Sequence, residues 1–139
     1  MGKLRLIEET VPSEEKISIY GDKSSDVWLI SWGSTKGPII DALDMLGDDY
    51  GVGFIQVKML YPFPGQLVAE MFRNAGRIID VEQNYSGQMS KLLTMSTGIK
   101  PTNYILKYNG RPFSSTEIRD ALVEILQKDT KRVIMNRGA

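Results

Sequence analysis

Four times along this chain a short apolar run ends at a polar, glycine-rich or proline-rich corner, and a segment of helical spacing follows. The runs are Val27–Trp32, Gly53–Leu60, Arg77–Val81 and Tyr104–Tyr108. Val27–Trp32 is almost continuously apolar, the pattern of a strand covered on both faces. Ile39, Ile40, Leu43 and Leu46 follow the first run, and Leu67, Val68, Met71 and Phe72 the second. Met89, Leu92 and Leu93 follow the third, and Ile118, Ala121, Leu122, Ile125 and Leu126 the fourth. This alternation predicts an α/β fold, a parallel sheet with helices on both faces. Right-handed crossovers carry all the strand-to-helix corners to the carboxyl edge, where open α/β sheets place their sites.

Local signals fix where the helices begin and end. Gly47 stops the first, and Gly98, with Pro101 beyond it, stops the third. Pro38 and Pro64 belong to first turns, where a missing N–H costs nothing. Ser114 and Glu117 have capping-box spacing, flanked by Phe113 and Ile118 at the staple positions. Losing that Ser114 cap costs about 1 kcal/mol. Ile17–Tyr20, closed by Gly21-Asp22, reads as a further short strand, and Arg132–Asn136 as an edge strand or a tail. Residues 1–16 are charged and interrupted by Pro12, and read as a linker or arm. Residues 17–139 read as a single α/β domain.

Composition narrows the function classes. Lysine plus arginine and aspartate plus glutamate balance at 17 each, so no global field draws the chain to nucleic acid or to an anionic membrane. With no cysteine and no histidine, disulfides, thiol nucleophiles, cysteine-held iron–sulfur clusters and ordinary zinc sites are excluded. No apolar run is long enough to span a bilayer, and the charged opening does not read as a signal peptide. A cytoplasmic location is the expectation. Lys128, Lys131, Arg132 and Arg137 face only Asp129 near the end, which reads as a solvated tail or a dock for an acidic partner.

Chemistry is sparse. Gly33-Ser34-Thr35-Lys36-Gly37 lies between a strand and a helix but lacks the order of a phosphate loop. Gly33, Ser34, Thr35 and Lys36 are therefore a weak anion-site candidate, with a simple helix cap as the plainer reading. Gly51-Val52-Gly53 precedes a strand instead of following one, so it is no dinucleotide fingerprint. Glu82 ends the third strand. It is either a base or cofactor contact, or the acceptor for the first amides of the next helix near Gly87 and Gln88, which is the preferred reading. Asp80 is expected to face a helix end or solvent.

The corners also gather Trp32, Tyr61, Phe63, Tyr85, Tyr108 and Phe113 beside Lys36, Lys58, Gln83, Asn84, Gln88, Asn109 and Arg111. This edge reads as a ligand pocket, a cap on the domain's own core, or a contact surface. The contact surface is the expectation, through Trp32, Tyr61, Phe63, Glu82, Asn84, Tyr85, Gln88, Arg111 and Phe113. No catalytic, cofactor-binding or metal-ligating residue is expected.

Trp32-Gly33-Ser34-Thr35-Lys36-Gly37, Tyr61-Pro62-Phe63-Pro64, Glu82-Gln83-Asn84-Tyr85-Ser86-Gly87-Gln88 and Tyr108-Asn109-Gly110-Arg111-Pro112-Phe113 occur in this order. In these motifs, and from about Lys3 to Ile125, the chain resembles the C-terminal domain of the alpha subunit of 2-oxoacid:ferredoxin oxidoreductases. The resemblance implies a fold like the transketolase C-terminal domain, a three-layer α/β/α sandwich. Its sheet would have five strands, one of them antiparallel: Ile17–Tyr20, at the edge beside Phe54–Met59. Gly33 and Glu82 would flank the switch point. The resemblance also implies a complex that decarboxylates a 2-oxoacid, such as pyruvate, on thiamine diphosphate. That complex forms an acyl-CoA and passes electrons through iron–sulfur clusters to ferredoxin.

The diphosphate-binding Gly-Asp-Gly motif of the beta subunit is absent, and so are the cluster cysteines. The domain that packs on the thiamine ring would precede Met1. The expected role is therefore a non-catalytic structural and subunit-interface domain, binding no cofactor itself. Its expected partners are the other alpha-subunit domain and the beta subunit, with ferredoxin indirectly, and a homodimer when isolated. The alternative is an independent small-molecule or anion-binding domain that kept the fold.

Overall fold

The computed structural model describes residues 11–84 and 87–135. A short helix α1 (Ser13–Lys16) leads into β1 (Ile17–Gly21), and β2 (Val27–Trp32) follows. A 3-10 turn, Gly33–Thr35, opens α2 (Lys36–Leu46), and β3 (Gly53–Val57) precedes α3 (Gly65–Met71). Then come β4 (Arg77–Glu82), α4 (Gln88–Thr97), β5 (Asn103–Lys107), α5 (Ser115–Lys128) and β6 (Arg132–Met135). One sheet takes all six strands in the order β1-β3-β2-β4-β5-β6. Only β1 runs antiparallel, paired to β3 from Ile17 opposite Val57 to Gly21 opposite Gly53. The α/β class, the mostly parallel sheet and the antiparallel edge strand all match the expectation.

The strand count does not: the described residues form six strands where five were expected. The extra one is β6, paired parallel to β5 from Tyr104 opposite Arg132 to Lys107 opposite Met135. Asn103 brings it alongside, its Nδ2 donating to the Thr130 carbonyl at 2.9 Å and to Asp129 Oδ1 at 3.2 Å. Asp129 turns the chain with a positive φ of 53°, a conformation that aspartate tolerates better than most side chains. Arg132 and Ile134 are exposed, so β6 has the half-wet pattern of an edge strand.

Strand alternation builds two cores, one on each face of the sheet. Leu29, Phe54, Ile79, Val81 and Ile105 face Ile39, Ala42 and Leu46 of α2 and Ile118, Leu122 and Ile125 of α5. Ile30, Ile55, Val57 and Ile78 face Val68 of α3 and Met89 and Leu93 of α4. Each fully buried leucine, isoleucine or phenylalanine contributes about 1.5–3 kcal/mol. Gly53 is required by close approach: a Cβ there would lie 2.7 Å from the Trp28 ring. Trp28 is itself fixed by its indole N–H, which donates to the Ser25 carbonyl at 2.9 Å.

Candidate functional site

The carboxyl edge is divided at β2 and β4. The chain leaves β2 for β3 on one side, and from β3 it crosses back to β4 on the other. The β2–β4 ladder ends at Ile30 opposite Asp80. Beyond it a side chain takes over the pairing: Ser31 Oγ, buried, donates to the Val81 carbonyl at 2.6 Å. Thr35, also buried, donates to the Trp32 carbonyl at 2.8 Å. The two hydroxyls lie 2.6 Å apart, so one of them can instead donate to the other. The cleft that opens above them has a volume of about 230 Å³ and is lined by Trp32, Gly33, Thr35, Glu82, Gln83 and Asn84. Gly33 and Glu82 flank this switch point as expected.

Glu82 is buried, and both of its oxygens accept hydrogen bonds. Its Oε1 accepts from the Met89 amide at 2.7 Å and from Asn84 Nδ2 at 3.0 Å. Its Oε2 accepts from the Ser90 amide at 3.4 Å. Asn84 Oδ1 accepts from the Gly87 amide at 2.7 Å and the Gln88 amide at 3.3 Å. The two side chains thus divide the amides at the start of α4, which have no intrahelical acceptor. The negative charge also sits at the positive end of the helix dipole. The capping role of Glu82 was legible in the sequence. The division of labour with Asn84 was not, because both residues stand in one polar corner.

Asp80, two residues earlier on the same face of β4, is fully buried. Neither carboxyl oxygen has a hydrogen-bond donor among the described residues. Burial pushes its pKa well above the usual carboxylate range; the neighbouring Glu82 carboxylate adds to the shift, and Arg132 opposes it. The expectation of a helix end holds and that of solvent fails, since a Cβ on Gly87 at the start of α4 would lie 3.8 Å from Asp80 Oδ2.

The weak anion candidate is largely committed elsewhere. The Thr35 hydroxyl is turned inward. Lys36 Nζ lies 5.3 Å from the centre of the Tyr20 ring, and its hydrogen bond holds the pKa of the Tyr20 phenol below the ordinary value. The Ser34 side chain lies outside the described residues, as does Tyr85.

The aromatic corners divide by direction. Phe63 and Phe113 are buried in opposite core layers, so these two contact candidates support the domain from inside. Glu82 is withdrawn from the surface in the same way. Trp32, Tyr61 and Tyr108 are 39%, 77% and 46% exposed. Gln88 and Arg111 are exposed on the same edge, and Asn84 is half-buried. Gln83 Nε2 reaches the Arg111 carbonyl at 3.5 Å, linking the β4 and β5 corners.

Over residues 25–118 the sequence matches the family described as pyruvate:ferredoxin oxidoreductase core domain II. The chain belongs to that family. It is 48% identical to 2-oxoacid:ferredoxin oxidoreductase 2, subunit alpha, of Aeropyrum pernix, over 99% of this chain and 22% of that one. With the alpha subunit from Saccharolobus solfataricus it shares 40% identity over the same shares of each chain. The chain therefore spans about a fifth of the length of the curated relatives it matches (22%).

Among solved structures it is similar to the alpha chain of a probable 2-oxoacid ferredoxin oxidoreductase from Thermoplasma acidophilum. The identity is 39% and the TM-score 0.57, covering 82% of this chain and 99% of that one. It is also similar to the 2-oxoglutarate:ferredoxin oxidoreductase of Magnetococcus marinus, solved with 2-oxoglutarate, coenzyme A and succinyl-CoA bound. There the identity is 25% and the TM-score 0.74, over 86% of this chain and 21% of that one.

The carboxylates of the β4 corner do not fit a thiamine diphosphate holder. A diphosphate with its divalent cation needs carboxylate oxygens turned to an open site. Glu82 spends its oxygens on α4, Asp80 is sealed, and no group of three metal-ligating side chains occurs among the described residues. No helix among those residues is long and apolar enough to cross a membrane.

Proposed function

We propose that this chain is a non-catalytic interface domain of a 2-oxoacid:ferredoxin oxidoreductase. Its carboxyl edge packs against the other alpha-subunit domain and the beta subunit. One observation carries the reading: the edge turns Trp32, Tyr61 and Tyr108 outward, while its two strand-borne carboxylates, Asp80 and Glu82, are sealed inside. Rigid exposed aromatics beside arginine and amide side chains are the composition of an interface core with a polar rim.

The whole complex would oxidatively decarboxylate a 2-oxoacid to an acyl-CoA in the cytoplasm. Thiamine diphosphate, iron–sulfur clusters and coenzyme A would be held by its other parts, with ferredoxin as the electron acceptor. In isolation the same edge would support a twofold homodimer. Dye reduction with a 2-oxoacid and coenzyme A tests this reading. The chain alone should give none, and the reconstituted complex should give activity that weakens on Tyr61→Ala. Turnover by the chain alone would overturn it.

A second reading, a small-molecule site, draws on the cleft of about 230 Å³ between Trp32 and Asn84. The inward Thr35 hydroxyl and the Lys36–Tyr20 contact weigh against an anion there.

A further inference from the structure

Asp80 and Glu82 stand two residues apart on one face of β4, both buried, and their surroundings differ in kind. Glu82 receives two backbone amides and the Asn84 amide group. Asp80 receives no donor among the described residues. A bare carboxylate with no donor, sealed from water beside a second carboxylate, would be far too costly to keep. A carboxylic acid is not: its O–H needs one acceptor, and Glu82 Oε2 has only the long contact from Ser90 N at 3.4 Å.

We propose that Asp80 stays protonated beside the charged Glu82, and that this proton latches the first turn of α4 to the end of β4. With the proton present, Glu82 keeps a single negative charge aimed at the Met89 and Ser90 amides. When it leaves, two adjacent buried carboxylates repel each other, and the way to separate them is to lift α4 and admit water.

The other charged and titratable groups around the pair do not replace the proton. Across β5, Tyr104 stands opposite Asp80 in register. From β6, the exposed Arg132 guanidinium stacks on the Tyr104 ring, 4.6 Å from its centre, and its charge only partly offsets the burial of Asp80. On α4, Lys91 is exposed to solvent. On β2, the partner of Asp80 is the apolar Ile30. The latch lies behind the proposed contact edge and does not depend on what docks there.

The test is a carbon-13 carboxyl titration of the 139-residue chain, read together with amide exchange at Met89 and Ser90. Asp80 should titrate well above the ordinary range. Exchange at those two amides, corrected for the intrinsic rate, should rise on the order of tenfold across the same step, the equivalent of one pKa unit of coupling. Asp80→Asn supplies a permanent donor, so exchange should then be flat through that pH range. Glu82→Gln removes the neighbouring charge, so Asp80 should titrate lower. Ordinary titration of Asp80, amides that ignore its step, or an Asp80 titration unmoved by Glu82→Gln would each overturn the latch.

Discussion

Lys107, buried at the end of β5, donates to both carboxylate oxygens of Glu117 on α5, at 2.8 and 3.1 Å, and to the Pro112 carbonyl at 3.0 Å. The same Glu117 closes the capping box, its Oε1 accepting from the Ser114 amide at 2.9 Å while its own amide donates to Ser114 Oγ at 3.1 Å. One carboxylate therefore ties the start of α5 to its own cap and to the last residue of the neighbouring strand. Lys107→Met should destabilise the chain by about 1–3 kcal/mol, because it leaves the Pro112 carbonyl and Glu117 without their shared donor. Urea unfolding measures this, and an unchanged midpoint would show the pair to be idle.

The two ends of the pH range should report different residues. For Glu117, burial raises the pKa, but hydrogen bonds from Lys107 and from Ser114 outweigh it and leave the carboxyl's pKa below its ordinary value. A depressed value in the folded state stabilises above the unfolded pKa of about 4.3, and the gain is lost as pH falls through the folded value. Glu117→Gln should therefore remove part of the acid-side loss of stability.

Asp80 runs the other way. Its raised value means the folded chain binds the proton more tightly than the unfolded one. Stability should be highest below about pH 4 for this group and should fall as pH rises toward the folded value. Asp80→Asn should remove that decline, so its advantage over the natural chain grows toward alkaline pH. Unfolding midpoints across the range check the sign.

The β4–α4 cap can be dissected by single substitutions. Asn84→Ala leaves the Gly87 and Gln88 amides without their acceptor and should cost about 1 kcal/mol. Glu82→Ala leaves the Met89 and Ser90 amides buried and unpaired, and should cost about 1–3 kcal/mol. Ser31→Ala removes the side-chain bridge at the switch point and should fall in the same range. Calorimetric melting of the three variants tests the order.

Much of this architecture was legible in the sequence, for reasons visible in individual residues. Leu29, Ile79 and Ile105 on one face, with Ile30, Ile55 and Ile78 on the other, give the continuous apolar runs of a doubly covered sheet. Ser114 and Glu117 carry the capping-box spacing, and the structure forms it. The directions of the corner aromatics were not legible. Phe63 and Phe113 point inward while Tyr61 points outward, and composition alone does not distinguish them. Asp80 was hidden for a related reason: an acid inside an apolar run reads as an exposed break until the helix that covers it is placed. β6 was ambiguous because Arg132 and Ile134 are exposed, so only half of its pattern marks a strand.

Whether the carboxyl edge docks is tested most directly by amide exchange on the chain, alone and bound to the remaining subunits of the complex. The corners carrying Trp32, Tyr61 and Tyr108 should gain protection on binding. Trp32→Ala and Tyr61→Ala should each weaken association by more than about 1 kcal/mol, with melting temperatures near that of the natural chain. Phe113→Ala should instead cost about 3–5 kcal/mol of folding stability, because that ring lies in the core. Protection confined to other surfaces, with binding indifferent to Trp32 and Tyr61, would contradict the account.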